Sequence, residues 1–142
     1  MLFLETPIYA SDYENSKISL ITCSGGSELY STFGHSALRV QDDSLAIDVI
    51  FNFGLFDFNT PNFYMKFLRG RLNYMLGIQT TSDFLWQYNY EGRGVVEQEL
   101  FLTPSQKREI MDRLNFLYMP ENRNYLYSFL HKNCTTELRD LL

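Results

Sequence analysis

Residue types that can form and break covalent bonds are scarce in this sequence: two cysteines, Cys23 and Cys134, and two histidines, His35 and His131. Cys134 stands in "HKNCTTELRD", in what reads as the first turn of a helix. Unpaired amide N–H groups and the positive end of the helix dipole favour an anion there, so its thiol pKa should fall. A thiolate is a strong nucleophile, and an imidazole within reach helps to form it and later returns the proton. His35 stands in "YSTFGHSALRV", directly behind a glycine and at the head of an alternating run that reads as a strand. A third polar group must orient the ring and fix its tautomer. Asp48 and Asn52 both qualify, and the sequence leaves the choice open. His131 competes as the base. It lies three residues before Cys134 on the same short segment, where it is poorly placed to address a thiol held at a helix start. The plainer alternative is a cysteine used as a small buried hydrophobe and a histidine satisfied by structural hydrogen bonds. No C-x-x-C or H-x-x-x-H spacing supports a zinc site, and no cofactor is expected.

These groups need elements to carry them. "KISLITC" (17–23) is rich in β-branched residues and reads as a buried strand, followed by the loop "SGGSE". "HSALRVQ" and "SLAIDVIFNFG" then form a hairpin about Asp42-Asp43. With those two residues as the turn, Gln41 faces Ser44 and His35 faces Ile50. One face carries Leu38, Val40, Leu45, Ile47, Val49 and Phe51. The other carries His35, Ala37, Arg39, Ala46, Asp48, Ile50 and Asn52, which makes Asp48 and Asn52 diagonal neighbours of His35. "TPNFYMKFLRG" (60–70) is a short helix with Thr60 as cap and Gly70 as exit. "RLNYMLGIQ" is a strand, "SDFLWQYNY" a helix capped by Ser82, and "GVVEQELFL" a strand. "TPSQKREIMDRLNFLYM" is a helix with a Thr103–Gln106 capping box and an apolar stripe of Ile110, Met111, Leu114, Leu117 and Tyr118, ended by Pro120. "NYLYSFL" is a strand, and "NCTTELRDLL" opens a final helix capped near Asn133 or Cys134.

The chain has 142 residues with 45% hydrophobic residues, enough for one domain with a real core. Twelve Phe, ten Tyr and one Trp supply most of the filling. The net charge of −5 argues against a nucleic-acid partner. Nothing is long and apolar enough to span a membrane. Residues 1–16 are expected to be a tail. Its start, "MLFLETPIYA", is either the remnant of a signal peptide or an ordinary disordered end. Residues 17–142 form the single domain, which stops inside a helix and is expected to be truncated at its C-terminus.

Three stretches carry a resemblance: "ISLITCSGGSELYSTFGHSALRV", "IFNFGLFDFNTPNFYMKFLRGRLNYML" and "PENRNYLYSFLHKNCTTELRD". Together they resemble the N-terminal periplasmic domain of bacterial lipoprotein N-acyltransferases of the Lnb type, long catalogued as a domain of unknown function. The G-H-[ST] and N-C-[ST]-[ST] blocks are the most specific parts. Histidine early and cysteine late also resembles the circularly permuted papain-like folds of NlpC-like peptidases and lecithin-retinol-acyltransferase-like proteins. The resemblance implies an α+β, permuted papain-like fold, mainly an antiparallel sheet packed against helices. It implies Cys134 as nucleophile and His35 as base, and does not decide between Asp48 and Asn52. It further implies a periplasmic location, tethering to the inner membrane through segments absent here, a lipid acyl donor and a lipoprotein acceptor. The expected activity is thiol-dependent acyl transfer through a thioester. The alternatives are an NlpC-like amidase or peptidase and a non-catalytic module that binds lipid or a partner.

Other residues carry lesser expectations. Cys23 ends the first strand close to the loop that leads to His35, and a disulfide with Cys134 is the minority outcome. The Tyr30 phenol is either an oxyanion donor or a packed aromatic. Lys66, Arg69 and Arg71, beside Phe63, Tyr64 and Phe67, either complement a helix C-terminus or meet lipid phosphates, with the former favoured. Arg123 is expected to pair with a surface acid.

Overall fold

The computed structural model describes residues 13–126 and 133–142. The tail up to residue 12, the rest of "NYLYSFL" and His131 lie outside the described residues, as do the side chains of Tyr30 and Leu126. Among the described residues, six strands and four α-helices make an α+β architecture: β1 Lys17–Cys23, β2 His35–Asp42, β3 Ile47–Leu55, α1 Phe63–Leu68, β4 Asn73–Thr80, α2 Thr81–Tyr90, β5 Val95–Glu99, α3 Pro104–Tyr118, β6 Asn124–Leu126 and α4 Cys134–Leu141. The strands form one sheet in the order β5-β1-β2-β3-β4-β6, and every neighbouring pair is antiparallel.

The central hairpin differs from expectation in its loop. Gln41 faces Asp48 and Leu38 faces Phe51, so the turn is the four residues 43–46 and the pairing moves by four positions. The cause is Asp42. Its carboxylate accepts from the Ser16 hydroxyl at 2.8 Å, the Ser44 N–H at 3.0 Å and the Leu45 N–H at 3.2 Å, which holds Asp42 in the strand and the loop beyond it. Ala46 takes the left-handed backbone (φ 53°) needed to close that loop. Leu45 is thereby lifted off the apolar face and exposed. An even shift preserves which side each strand residue faces, so the expected separation of the two faces survives.

Both faces are covered. On one, Leu38, Val40, Val49, Phe51, Phe53, Leu76 and Ile78 meet Ile110, Met111, Leu114 and Tyr118 of α3 and Leu138 of α4. On the other, Ile21, Cys23, Ala37 and Ile50 pack under Phe84 and Tyr88 of α2. A smaller cluster of Phe63, Phe67, Leu72 and Tyr74 anchors α1.

The caps follow local chemistry, with two corrections. The Thr103–Gln106 box of α3 forms as expected. The α2 cap is Thr80 rather than Ser82, because the Thr80 hydroxyl accepts from the Asp83 N–H. Thr60 does not cap α1; its hydroxyl donates to the Asp57 carbonyl and closes the preceding turn. Gly70 (φ 65°) does end α1, with its N–H on Phe67 and the Arg71 N–H on Lys66. Arg123 stacks over the Tyr118 ring at 5.3 Å rather than joining an ion pair among the described residues.

Candidate active site

Cys134 is the first residue of α4, and Asn133 is the cap. The Asn133 side chain accepts from the Thr136 N–H at 3.0 Å, and the Thr136 hydroxyl accepts from the Asn133 N–H at 2.8 Å. The box consumes the third amide of the helix. The Cys134 and Thr135 N–H groups at its positive end have no partner among the described residues. α4 packs against β2 and β3, which brings this end of the helix to the head of β2.

His35 opens β2. Gly34 before it has φ 79°, and a Cβ there would lie 2.5 Å from the Cys23 carbonyl oxygen, so the chain can turn into the strand only through glycine. Gly54, at the bulge in β3, lies beside the imidazole, and a Cβ there would come within 3.5 Å of the His35 Cε1. The ring is oriented from its Nε2 side, 2.5 Å from the Asn52 Oδ1. Asn52 is buried and donates through Nδ2 to the Gln79 Oε1 at 3.3 Å, an arrangement that turns its Oδ1 to the ring. Nε2–H therefore donates, leaving Nδ1 as the basic nitrogen.

The imidazole and the thiol meet. Burial raises the Cys134 pKa. The hydrogen bond and charge of His35, helped by the Ser36 N–H and the Thr135 hydroxyl, outweigh it and bring the thiol from 9.0 down to about 7. Cys23 is the opposite case. It is buried at the end of β1, hydrogen-bonded to Tyr88, and burial pushes it from 9.0 up to about 11. Both cysteines are free thiols. The pair therefore divides into one activated and one inert sulfur, close enough that Cys23 feels the charge of Cys134.

Of the two candidates for the third position, Asn52 reaches His35 and Asp48 does not. Asp48 takes both arms of Arg39, Nε at 2.8 Å and Nη2 at 2.7 Å, and accepts from the Thr81 hydroxyl at 2.6 Å. The Arg39 hydrogen bonds hold its carboxyl below the ordinary carboxylate range. Four residues along one strand put it about 13 Å from Asn52. Sequence reasoning missed Gln79 and the Ser36 amide. Gln79 is fully buried and faces Ile50 across the β3–β4 ladder, and its place as a polar residue closing the mostly apolar run "YMLGIQ" was its only signal.

A cleft of about 620 Å³ opens at the head of the hairpin. Its lining includes His35, Asn52 and Gly54, with Leu55, Phe56 and Phe58 among its apolar residues and Glu91 and Arg93 among its polar ones. Cys134 is not part of that lining, so the cleft reaches the catalytic candidates at the imidazole.

A helix-start thiol, a strand imidazole and a carboxamide behind it are the groups that thiol-dependent acyl-transfer chemistry requires. The family model for the Lnb N-terminal periplasmic domain matches residues 5–142, and the chain belongs to that family. The family description places the domain in the periplasm, and no helix among the described residues is long and apolar enough to cross a membrane. No curated protein and no solved structure matches the chain.

Proposed function

We propose that this domain carries out thiol-dependent acyl transfer, N-acylating lipoproteins through a thioester on Cys134. The observation that carries the proposal is the Cys134 thiol brought down to about 7 by His35 at a helix start. Membership of the Lnb family supports a lipoprotein as the substrate, because this is the N-terminal periplasmic domain of Lnb-type lipoprotein acyltransferases. The order of histidine on an early strand and cysteine on a late helix start is that of a permuted papain-like site.

The proposed steps are these. His35 holds the thiol proton, and the Cys134 thiolate attacks the carbonyl carbon of a lipid ester. The oxyanion is met by the helix-start N–H groups of Cys134 and Thr135. As the tetrahedral centre collapses, the C–O bond breaks and His35 gives its proton to the departing alcohol, leaving a thioester. The free α-amine of the lipoprotein's N-terminal cysteine then attacks, His35 removes its proton, and the thiolate leaves as the amide forms. Asn52 keeps the ring in the one tautomer that serves both halves, and Gln79 keeps Asn52 from turning over. The leaving group or acyl chain lies along the cleft, with the reacting carbonyl at its His35 end.

The test is Cys134→Ala or Cys134→Ser in the full-length protein, with lipoprotein N-acylation measured by mass spectrometry. Loss of the N-acyl product is expected, and unchanged N-acylation would remove the proposal. Release of free fatty acid with no N-acyl product would instead assign water as the acceptor and make the domain a hydrolase.

A further inference from the structure

The short helix α1 buries Phe63 and Phe67 and turns its other side outward. At about 100° per residue, Tyr64, Leu68 and Met65 fall on one continuous face opposite the buried pair. They are 49%, 65% and 49% exposed, a large apolar exposure for so short a helix. The face continues into the cleft. Tyr64 packs edge-on to Phe63, Phe63 stacks on Phe58 at 5.3 Å, and Phe58 meets Phe56 at 4.7 Å; Phe56 and Phe58 both line the cleft. Across the mouth, exposed Leu29 and Phe33 alternate in sequence with the cleft-lining Glu28, Ser31 and Gly34. The Tyr64 hydroxyl reaches the Glu28 carboxylate at 3.5 Å and joins the two lips.

Charge says what this face meets. Lys66, Arg69 and Arg71 gather at the C-terminal end of α1, with the Arg71 N–H bonded to the Lys66 carbonyl. None of the three is in an ion pair among the described residues, although the chain as a whole carries −5. Two carboxylates lie nearby, Glu28, which accepts from the Tyr64 hydroxyl, and Asp57, which accepts from the Asn59 N–H, and the three cations outnumber them. The dipole of α1 accounts for cations at its C-terminus. It does not account for the exposed Tyr64, Met65, Leu68 and Phe58 beside them. Apolar side chains flanked by cations at the C-terminal end of the same helix complement an anionic phospholipid surface, where acyl boundary and phosphate lie side by side. We infer that the α1 face is a membrane-docking lip that seats the cleft mouth on an anionic bilayer. This deepens the acyl-transfer reading and rests on its cleft, since a lipid ester then enters without crossing water.

The experiment is co-sedimentation of the 142-residue chain with phosphatidylcholine vesicles, with and without phosphatidylglycerol. Binding that needs phosphatidylglycerol and weakens with salt is expected. Combining Lys66→Gln, Arg69→Gln and Arg71→Gln should weaken it by about tenfold or more. Met65→Asp with Leu68→Asp should weaken it comparably while leaving the cations in place. Phe101→Asp, at a site 98% exposed outside the lip, should leave it unchanged. Equal binding to neutral vesicles, or full binding by the triple variant, would overturn the inference. So would concentration-dependent self-association abolished by Leu68→Asp with no vesicle binding, which would give the face to a second copy. Alkylation of Cys134 in the same variants reports folding and separates the two readings. Absent vesicle binding with an intact activated thiol sinks the lip alone.

Discussion

At the scale of single residues, Asn52 and Asp48 form a matched pair for experiment. Both lie on β3 on the same face, and only one touches the imidazole. Asn52→Ala removes the acceptor for the ring N–H and leaves the Gln79 carbonyl unpartnered in the interior. It should cost about 1–3 kcal/mol of stability and slow Cys134 alkylation at neutral pH, measured by denaturant melts and by labelling rates. Asp48→Asn breaks a half-exposed ion pair with Arg39, an interaction screened by solvent. It should move stability by less than about 1 kcal/mol and leave the thiol's reactivity where it was.

At the scale of elements, the site depends on how α4 begins and how β2 is entered. Asn133→Ala removes the cap that holds the first turn of α4 in shape. It should cost about 1 kcal/mol and lower Cys134 reactivity together with it, read from thermal melts and alkylation of the same sample. Gly34→Ala forces a side chain onto a backbone at φ 79° and against the Cys23 carbonyl. It should destabilise by more than about 1 kcal/mol and displace His35, with loss of N-acylation by the full-length protein as the check. Much at this scale was legible. β1, the capping box of α3 and the helix at Cys134 rest on side-chain patterns and caps a few residues apart. The hairpin loop was not, because Asp42 is bound by Ser16, twenty-six residues away, and no local pattern announces that. The α2 cap was misplaced by two residues because Thr80 and Ser82 carry equivalent hydroxyls, and only the strand's last pairing, Val49 with Thr80, selects between them. Asn52 was on the correct face by parity, yet its preference over Asp48 needed Arg39 and Gln79, both read only in three dimensions.

At the scale of the whole molecule, one sheet covered on both sides holds two distant segments in register, and the two sulfurs give it opposing pH responses. The folded-state pKa of Cys134 is depressed, so its contribution to stability is full above the unfolded value of 9.0 and lost as pH falls through about 7. That of Cys23 is raised, so its contribution is full below 9.0 and lost as pH rises through about 11. Cys23→Ala should flatten the alkaline loss of stability, and Cys134→Ala the change between 7 and 9, in melts across pH. The core tolerates little: Phe51→Ala, at a fully buried site between sheet and helices, should cost about 3–5 kcal/mol. The most direct test of the central claim is the alkylation rate of Cys134 against pH, in the parent chain and in His35→Ala. A midpoint near 7 that moves toward 9 in the variant is expected. A midpoint near 9 in both would show that the imidazole does not act on the sulfur, and the proposed chemistry would fail with it.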